Sequence, residues 1–199
     1  MKHLPIIFST PMVQAILDDR KTQTRRVVKP QPIRSPYWTH YENSGAFYPA
    51  TYDAEPSILR CPFGKPGDRL YVRETFGFDP WHYLEGHDSI LYRACQKIDS
   101  DYPIKWKPSI YMPKKYARIW LEITNVRVER LQDITESDAE KEGVNQGIVR
   151  TQELISGRWV DYPYYKKGFK DLWDSINGKK HPWKANLWVW VLEFRKVTP

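Results

Sequence analysis

The sequence is poor in cysteine: Cys61 and Cys95 are its only two. They lack C-x-x-C spacing, which excludes a zinc knuckle or a thioredoxin-type motif, and a single disulfide is not expected in a reducing compartment. No apolar run approaches the roughly 20 residues of a membrane-spanning helix. Residues 1–10 hold one lysine and a short apolar patch, Leu4 to Phe8, with no long hydrophobic region or small-residue cleavage site. They do not read as a signal peptide. G-x-S-x-G, G-x-x-x-x-G-K-[ST], G-x-G-x-x-G and H-E-x-x-H are all missing, which sets aside serine hydrolase, P-loop and Rossmann readings. His82 and His87 stand five apart without a matching cysteine or carboxylate set, so neither a metal nor another cofactor is expected. Internal repeats and low-complexity tracts are absent too. The expectation is a soluble cytoplasmic protein with no membrane partner.

What is present is a chain of 199 residues, a length suited to one domain with a real core. Its 41% hydrophobic and 15% aromatic content argues against disorder. The net charge of +7 leans moderately toward polyanionic partners. Nine Trp and thirteen Tyr strengthen that lean, because aromatic faces beside basic side chains hold splayed bases and single strands. For any one ring a core or structural place is the commoner role.

The chain opens as a strand, Ile6 to Ser9, followed by a helix that Thr10 caps and Pro11 enters. Val13, Ile16 and Leu17 form its apolar stripe, and Lys21 continues the same inward stripe at helical spacing. A second strand covers about 22–28. Pro66-Gly67-Asp68 is a turn, after which Leu70, Val72, Glu74 and Phe76 alternate with Tyr71, Arg73 and Thr75 as a strand. A short strand is expected over Ser89 to Ala94. Ala117 to Leu131 is the longest β segment. Its apolar phase slips near Thr124 and Asn125, which predicts a bulge. Thr135 to Gly143 reads as a short capped helix, with Thr135 and Asp138 as the cap and Gly143 just past its end. Phe169, Leu172, Trp173 and Ile176 mark a helix ended by Gly178. Leu187 to Val197 is apolar on both faces, hence central or barrel-lining. Three stretches without sustained period, about 29–64, 79–115 and 144–165, read as insertions. The order lacks a helical crossover between each strand pair, which favours a single α+β domain over 1–199: a small mixed β-barrel with helices packed outside.

The densest chemical cluster is Asp19-Arg20-Lys21-Thr22-Gln23-Thr24-Arg25-Arg26 at a helix-to-strand junction. It is either a solvated basic turn or a site. Strand alternation puts Thr22, Thr24 and Arg26 on one face, opposite Gln23 and Arg25. Lys21, Thr24 and Arg26 then converge on one concave spot. Glu74 sits on an apolar strand face and needs a cationic or hydrogen-bonding partner, and Arg73, Arg25 and Arg26 are the candidates for an ion pair. Glu142, at a helix C-terminus where a carboxylate opposes the dipole, reads from its position alone as exposed.

The segment Asp19 to Arg25, the Pro66-Gly67-Asp68 turn, the helix end Ala139-Glu140-Lys141-Glu142-Gly143 and the strand Val189-Trp190-Val191-Leu192-Glu193-Phe194 recur in that order in the ASCH domain. The chain therefore resembles an ASCH-domain protein of the PUA-like superfamily. Ser9-Thr10-Pro11-Met12, Val72-Arg73-Glu74-Thr75-Phe76 and Trp106-Lys107-Pro108-Ser109 are similar to a longer form often carried by phages and prophages. The core resemblance spans about half the chain and the longer form most of it. It implies a PUA-like β-barrel with a cleft beside the first helix. It also implies a metal-independent amidohydrolase that removes the acyl group from N(4)-acetylcytidine or a related modified pyrimidine nucleoside. Lys21, Thr24 and Glu142 match the family's catalytic residues. In that scheme Thr24 attacks the acyl carbonyl, Lys21 takes its proton, and Glu142 orients Lys21 or protonates the leaving amine. Arg26 or a backbone N–H holds the oxyanion, and Arg26, Arg25 and Glu74 are candidate substrate-binding residues. The family's usual glycine before the basic pair is Asp19 here. The competing expectation is a non-catalytic module that binds RNA or single-stranded nucleic acid through Arg25, Arg26, Lys29 and the aromatic insertions. A ribonuclease is a third reading, without a histidine pair or carboxylate set behind it.

Overall fold

The structure is a computed structural model and describes residues 1–32, 38–40, 46–49, 59–79, 90–95, 104–152 and 159–198. Twelve strands and three α-helices occur among them. The strands are β1 (His3–Ile7), β2 (Gln23–Val27), β3 (Trp38–His40), β4 (Ala46–Pro49), β5 (Leu59–Arg60) and β6 (Arg69–Arg73), then β7 (Phe76–Phe78), β8 (Ile90–Tyr92), β9 (Trp120–Arg130), β10 (Gly147–Gln152), β11 (Trp159–Tyr164) and β12 (Trp188–Val197). The helices are α1 (Thr10–Leu17), α2 (Glu136–Lys141) and α3 (Tyr165–Asn177). The main sheet has five strands in the order β1-β6-β9-β12-β2. Only β1 and β6 run parallel; the other pairs are antiparallel. Three small sheets pair β3-β4-β5, β7-β8 and β10-β11.

The fold is α+β. Its described strands do not close into a barrel: β1 and β2 are the two edges of an open sheet. Arg26 at the β2 edge sends Nη2 to Ile7 O at the β1 edge, 2.8 Å away. A side chain, rather than a strand ladder, links the two edges there.

The sheet separates two apolar clusters. Trp188, Trp190, Leu192 and Phe194 of β12 pack with Val13 and Ile16 of α1. Val189 and Val191, one residue out of phase, pack with Ala139 of α2 and Phe169 and Trp173 of α3. Strand β12 is apolar on both faces because each face meets a different helical layer. The slip expected near Thr124 is a bulge in β9: Glu193 pairs with Asn125 and Phe194 with Ile123, leaving Thr124 unopposed. The extra residue keeps Leu121, Ile123 and Val126 in the same cluster.

Several boundaries differ from the sequence reading. Strand β1 lies three residues upstream of Ile6 at its start. Ser9 is the N-cap of α1: it is extended, and its carbonyl accepts the first helical bond from Val13 N at 2.9 Å. Pro11 thus falls at the second helical position. The 144–165 excursion contains the β10-β11 hairpin, which leads directly into α3. The 29–64 insertion contains β3, β4 and β5 and the 79–115 insertion contains β8, while His82 and His87 lie outside the described residues. No helix among the described residues is long and apolar enough to cross a membrane.

Candidate functional site

Helix α1 ends at Leu17, so Lys21 is not on its stripe. The chain turns instead: Asp19 takes φ 58°, and the amides of Arg20 and Lys21 both donate to Ala15 O. That left-handed conformation favours glycine, and aspartate tolerates it. Lys21 then forms an isolated bridge with Glu142. Its partner segment is fixed from the other side. Thr135 caps α2 by accepting from Asp138 N at 3.0 Å, Glu142 closes the helix, and Gly143 follows with φ 74°. A Cβ on Gly143 would stand 2.8 Å from the Cβ atoms of Ala15 and Lys21. Glycine is required there both for its backbone and for this close approach. The approach brings Glu142 and Lys21 together across 121 residues of sequence.

Lys21 and Glu142 are both buried. Lys21 Nζ donates to Glu142 Oε2 at 2.7 Å, Glu142 O at 2.9 Å and Gln23 O at 2.8 Å. All three ammonium donors are thereby used. Burial lowers the Lys21 pKa, and the Glu142 carboxylate opposes that shift. Glu142, read from its helix position as exposed, is enclosed because two cations reach it: Arg25 Nη1 lies 3.2 Å from Oε1.

Arg25 belongs to a larger ionic network. It also contacts Glu129, Asp138 and the Gln23 amide oxygen. Gln23 in turn donates to Asp138 Oδ1 at 3.0 Å and Glu193 Oε1 at 3.3 Å. Arg127 pairs with Glu129, Asp138 and Glu193. Burial works against the Asp138 charge, yet the Gln23 hydrogen bond and the Arg127 and Arg25 charges hold its carboxyl below the usual carboxylate value. The Arg25 side chain is 0% exposed. Its charge faces three carboxylates of this network, Glu129, Asp138 and Glu142.

Thr24 and Arg26 open onto a cleft between α1 and α3. Its narrow compartment, about 80 Å³, is lined by Thr24, Arg25, Arg26, Glu142, Phe169 and Trp173, among others. A wide compartment of about 600 Å³ adjoins it and shares Met12, Arg26, Ile176 and Asn177. Lys21 lies behind Glu142 and lines neither compartment. Lys21 Nζ and Arg26 Cζ lie 5.6 and 5.2 Å from the Phe8 ring centroid. Burial lowers the Arg26 pKa, with the Glu142 charge opposing. A separate open groove of about 550 Å³ beside α2 is lined by charges of both signs, Asp19, Glu140, Arg20 and Lys141.

The structure thus brings Lys21 to Glu142, and Thr24 and Arg26 to Glu142 through a shared cavity. Glu74 belongs elsewhere. Its partner is none of the three arginines expected: Arg118 grips it with Nε at 2.9 Å and Nη2 at 3.0 Å. Arg118 also stacks 4.0 Å from the Tyr92 ring centroid. Glu129, Arg127 and Glu193 escaped the sequence reading, although Arg127 and Glu129 alternate on one face of β9, a signal that could have found them. Asp138 was legible only as a helix cap. Among the described residues no group of three or more His, Cys, Asp and Glu side chains is placed to hold a metal ion. Comparison with protein-family models, curated proteins and solved structures finds no match to this chain.

Proposed function

We propose that this chain is an ASCH-type, PUA-like amidohydrolase that removes the acyl group from an N(4)-acylated cytidine. The observation that carries the reading is the buried Lys21–Glu142 pair, 2.7 Å apart, beside a cavity that Thr24 and Glu142 both line. Thr24 Oγ attacks the acyl carbonyl carbon, and its proton passes to the Lys21–Glu142 pair. Arg26 faces the oxyanion. The C–N bond breaks as the pair returns the proton to the exocyclic amine, leaving cytidine and an acyl ester on Thr24. Water hydrolyses that ester and restores the hydroxyl. Phe169, Leu172 and Trp173 give the narrow compartment an apolar wall. Its volume corresponds to about two to three waters at roughly 30 Å³ each, which suits a two-carbon acyl group.

The test is the ultraviolet spectrum of N(4)-acetylcytidine mixed with wild type, Lys21→Ala and Thr24→Ala, with circular dichroism as the check on folding. Wild type turns the substrate over. Thr24→Ala keeps its fold and loses at least about 100-fold in rate. No turnover of acetylcytidine or of a panel of acylated cytosines by wild type overturns the reading.

One observation favours the second reading, a non-catalytic nucleic-acid-binding module. Basic side chains cover aromatic rings around 93–116: Lys107 lies 4.9 Å from the Phe78 centroid, Lys115 4.6 Å from Tyr116 and Arg93 5.4 Å from Trp106. Such a surface binds single strands with steep salt dependence. Absence of salt-sensitive affinity for RNA or DNA removes this reading.

A further inference from the structure

The wide compartment has the chemistry of an anion site. Arg26, Arg73, Ser9, Thr75, Ser109 and Asn177 supply its polar lining, and no described carboxylate lines it. Among the described residues its wall therefore carries two positive charges and no negative one. Arg25, Arg118 and Arg127 are each paired with carboxylates. Arg26 and Arg73 have no such partner among the described residues. Arg26 donates to Arg25 O and Ile7 O. Arg73 donates to Ile110 O, and its Nε has no hydrogen-bond partner. Each guanidinium has five N–H donors, so both retain donors for an incoming acceptor.

The N-terminus of α1 opens onto the same space. Ser9, its N-cap, lines the wide compartment and makes no side-chain cap. Pro11 carries no amide hydrogen and Val13 N donates to Ser9 O, so the Thr10 and Met12 amides are the ones left without an intrahelical acceptor. A helix N-terminus of this kind attracts phosphate, and here it stands with two arginines rather than alone. The compartment's volume falls within the range of small-molecule sites. The narrow compartment with Thr24 and Glu142 adjoins it, sharing Met12, Arg26, Ile176 and Asn177.

We propose that the cleft takes a phosphorylated nucleoside, with the phosphate held by Arg26, Arg73 and the α1 N-terminus while the base reaches toward Thr24. Placing the base and its acyl group rests on the function proposed above; the phosphate site stands on its own lining. The phosphate belongs either to a nucleoside monophosphate or to a nucleotide within a strand, and these share the same recognition chemistry. Arg26 is common to both compartments, so it touches both the phosphate end and the reacting end of the ligand.

Calorimetric titration tests the site without requiring turnover. The ligands are cytidine, cytidine monophosphate, inorganic phosphate and a short oligocytidylate; the proteins are wild type, Arg73→Gln and Ser109→Asp. The monophosphate or the oligomer is expected to bind at least about 10-fold more tightly than cytidine, the equivalent of one charge-assisted hydrogen bond. Arg73→Gln should collapse that ratio. Ser109→Asp, which adds a carboxylate to the wall without removing a contact, should do the same. The tighter of the two nucleotides identifies the source of the phosphate. Equal affinity for cytidine and both nucleotides overturns the proposal, as does inorganic phosphate binding as tightly as either nucleotide. A ratio untouched by either variant in folded protein overturns it too. Hydrolysis of N(4)-acetylcytidine and its monophosphate separates the two claims. If phosphate-dependent binding is present and nothing turns over, the hydrolase reading fails and the phosphate site stands. Equal kcat/KM for both substrates in wild type and Arg73→Gln leaves the hydrolase and removes the phosphate site.

Discussion

Alternate residues of one short strand meet opposite electrostatic surroundings. Gln23 and Arg25 of β2 enter a network in which Glu129, Asp138, Glu142 and Glu193 face Lys21, Arg25 and Arg127. Thr24 and Arg26 open onto the α1–α3 cleft, where Arg26 has no described carboxylate partner. The paired side holds β2 to α2 and β9. The unpaired side retains a hydroxyl and a guanidinium with donors to spare. Identical chemistry, two neighbouring arginines, therefore serves cohesion at one position and availability at the next. Glu142 joins the two: its carboxylate is fixed by Lys21 and Arg25, and it also lines the narrow compartment.

The largest expected effect tests that division directly. Arg25→Met leaves three carboxylates short of a buried cation and should cost roughly 3–5 kcal/mol of unfolding free energy. Arg26→Gln should cost about 1 kcal/mol, the worth of one hydrogen bond, while damaging turnover more than stability. Urea melts of the two variants check this, and equal costs would erase the distinction between the faces.

Acid sharpens the comparison. The folded-state pKa of Asp138 lies below its ordinary value of 3.8. A carboxyl shifted down contributes stability that is fully present above the unfolded value and is lost as pH falls through the folded one. Wild type should therefore lose thermal stability below about pH 4 more steeply than Asp138→Asn, which lacks this titration. Parallel melting curves for the two proteins from pH 6 to pH 2 would rule out the Asp138 contribution.

The smallest effect belongs to the rim of the cleft. Ile176 is 53% exposed and lines both compartments. Ile176→Ala should change stability by no more than about 0.5 kcal/mol, as exposed positions do, while raising KM for the acylated substrate. A melting shift larger than the kinetic one would mean that Ile176 serves packing instead.

Much of the frame is legible in local pattern. The double-faced apolar run of β12, the phase slip at Thr124, the Thr135 cap and the Gly143 stop are short-range signals, and each has its counterpart in the fold. Lys21 is the instructive case: its burial was expected from a helical stripe, but α1 stops four residues earlier. The Glu142 bridge encloses it instead. Glu74 teaches the same lesson, since an apolar strand face announced a buried carboxylate while its cation came from Arg118, 44 residues away.

By itself the sequence determined which residue types lie where: the strand and helix periods, the turn glycines, and a basic, hydroxyl-bearing junction at 19–26. These follow from backbone geometry and side-chain spacing within a few residues. Which charges neutralise one another was decided only by the tertiary structure. Ion pairing depends on distance in space, and the pairs that matter here join Lys21 and Arg25 to residues more than a hundred positions away. The open cleft is likewise a tertiary product. It lies between α1 and α3 along the β2 edge, where Arg26 is half-buried while Gln23, Thr24 and Arg25 are buried.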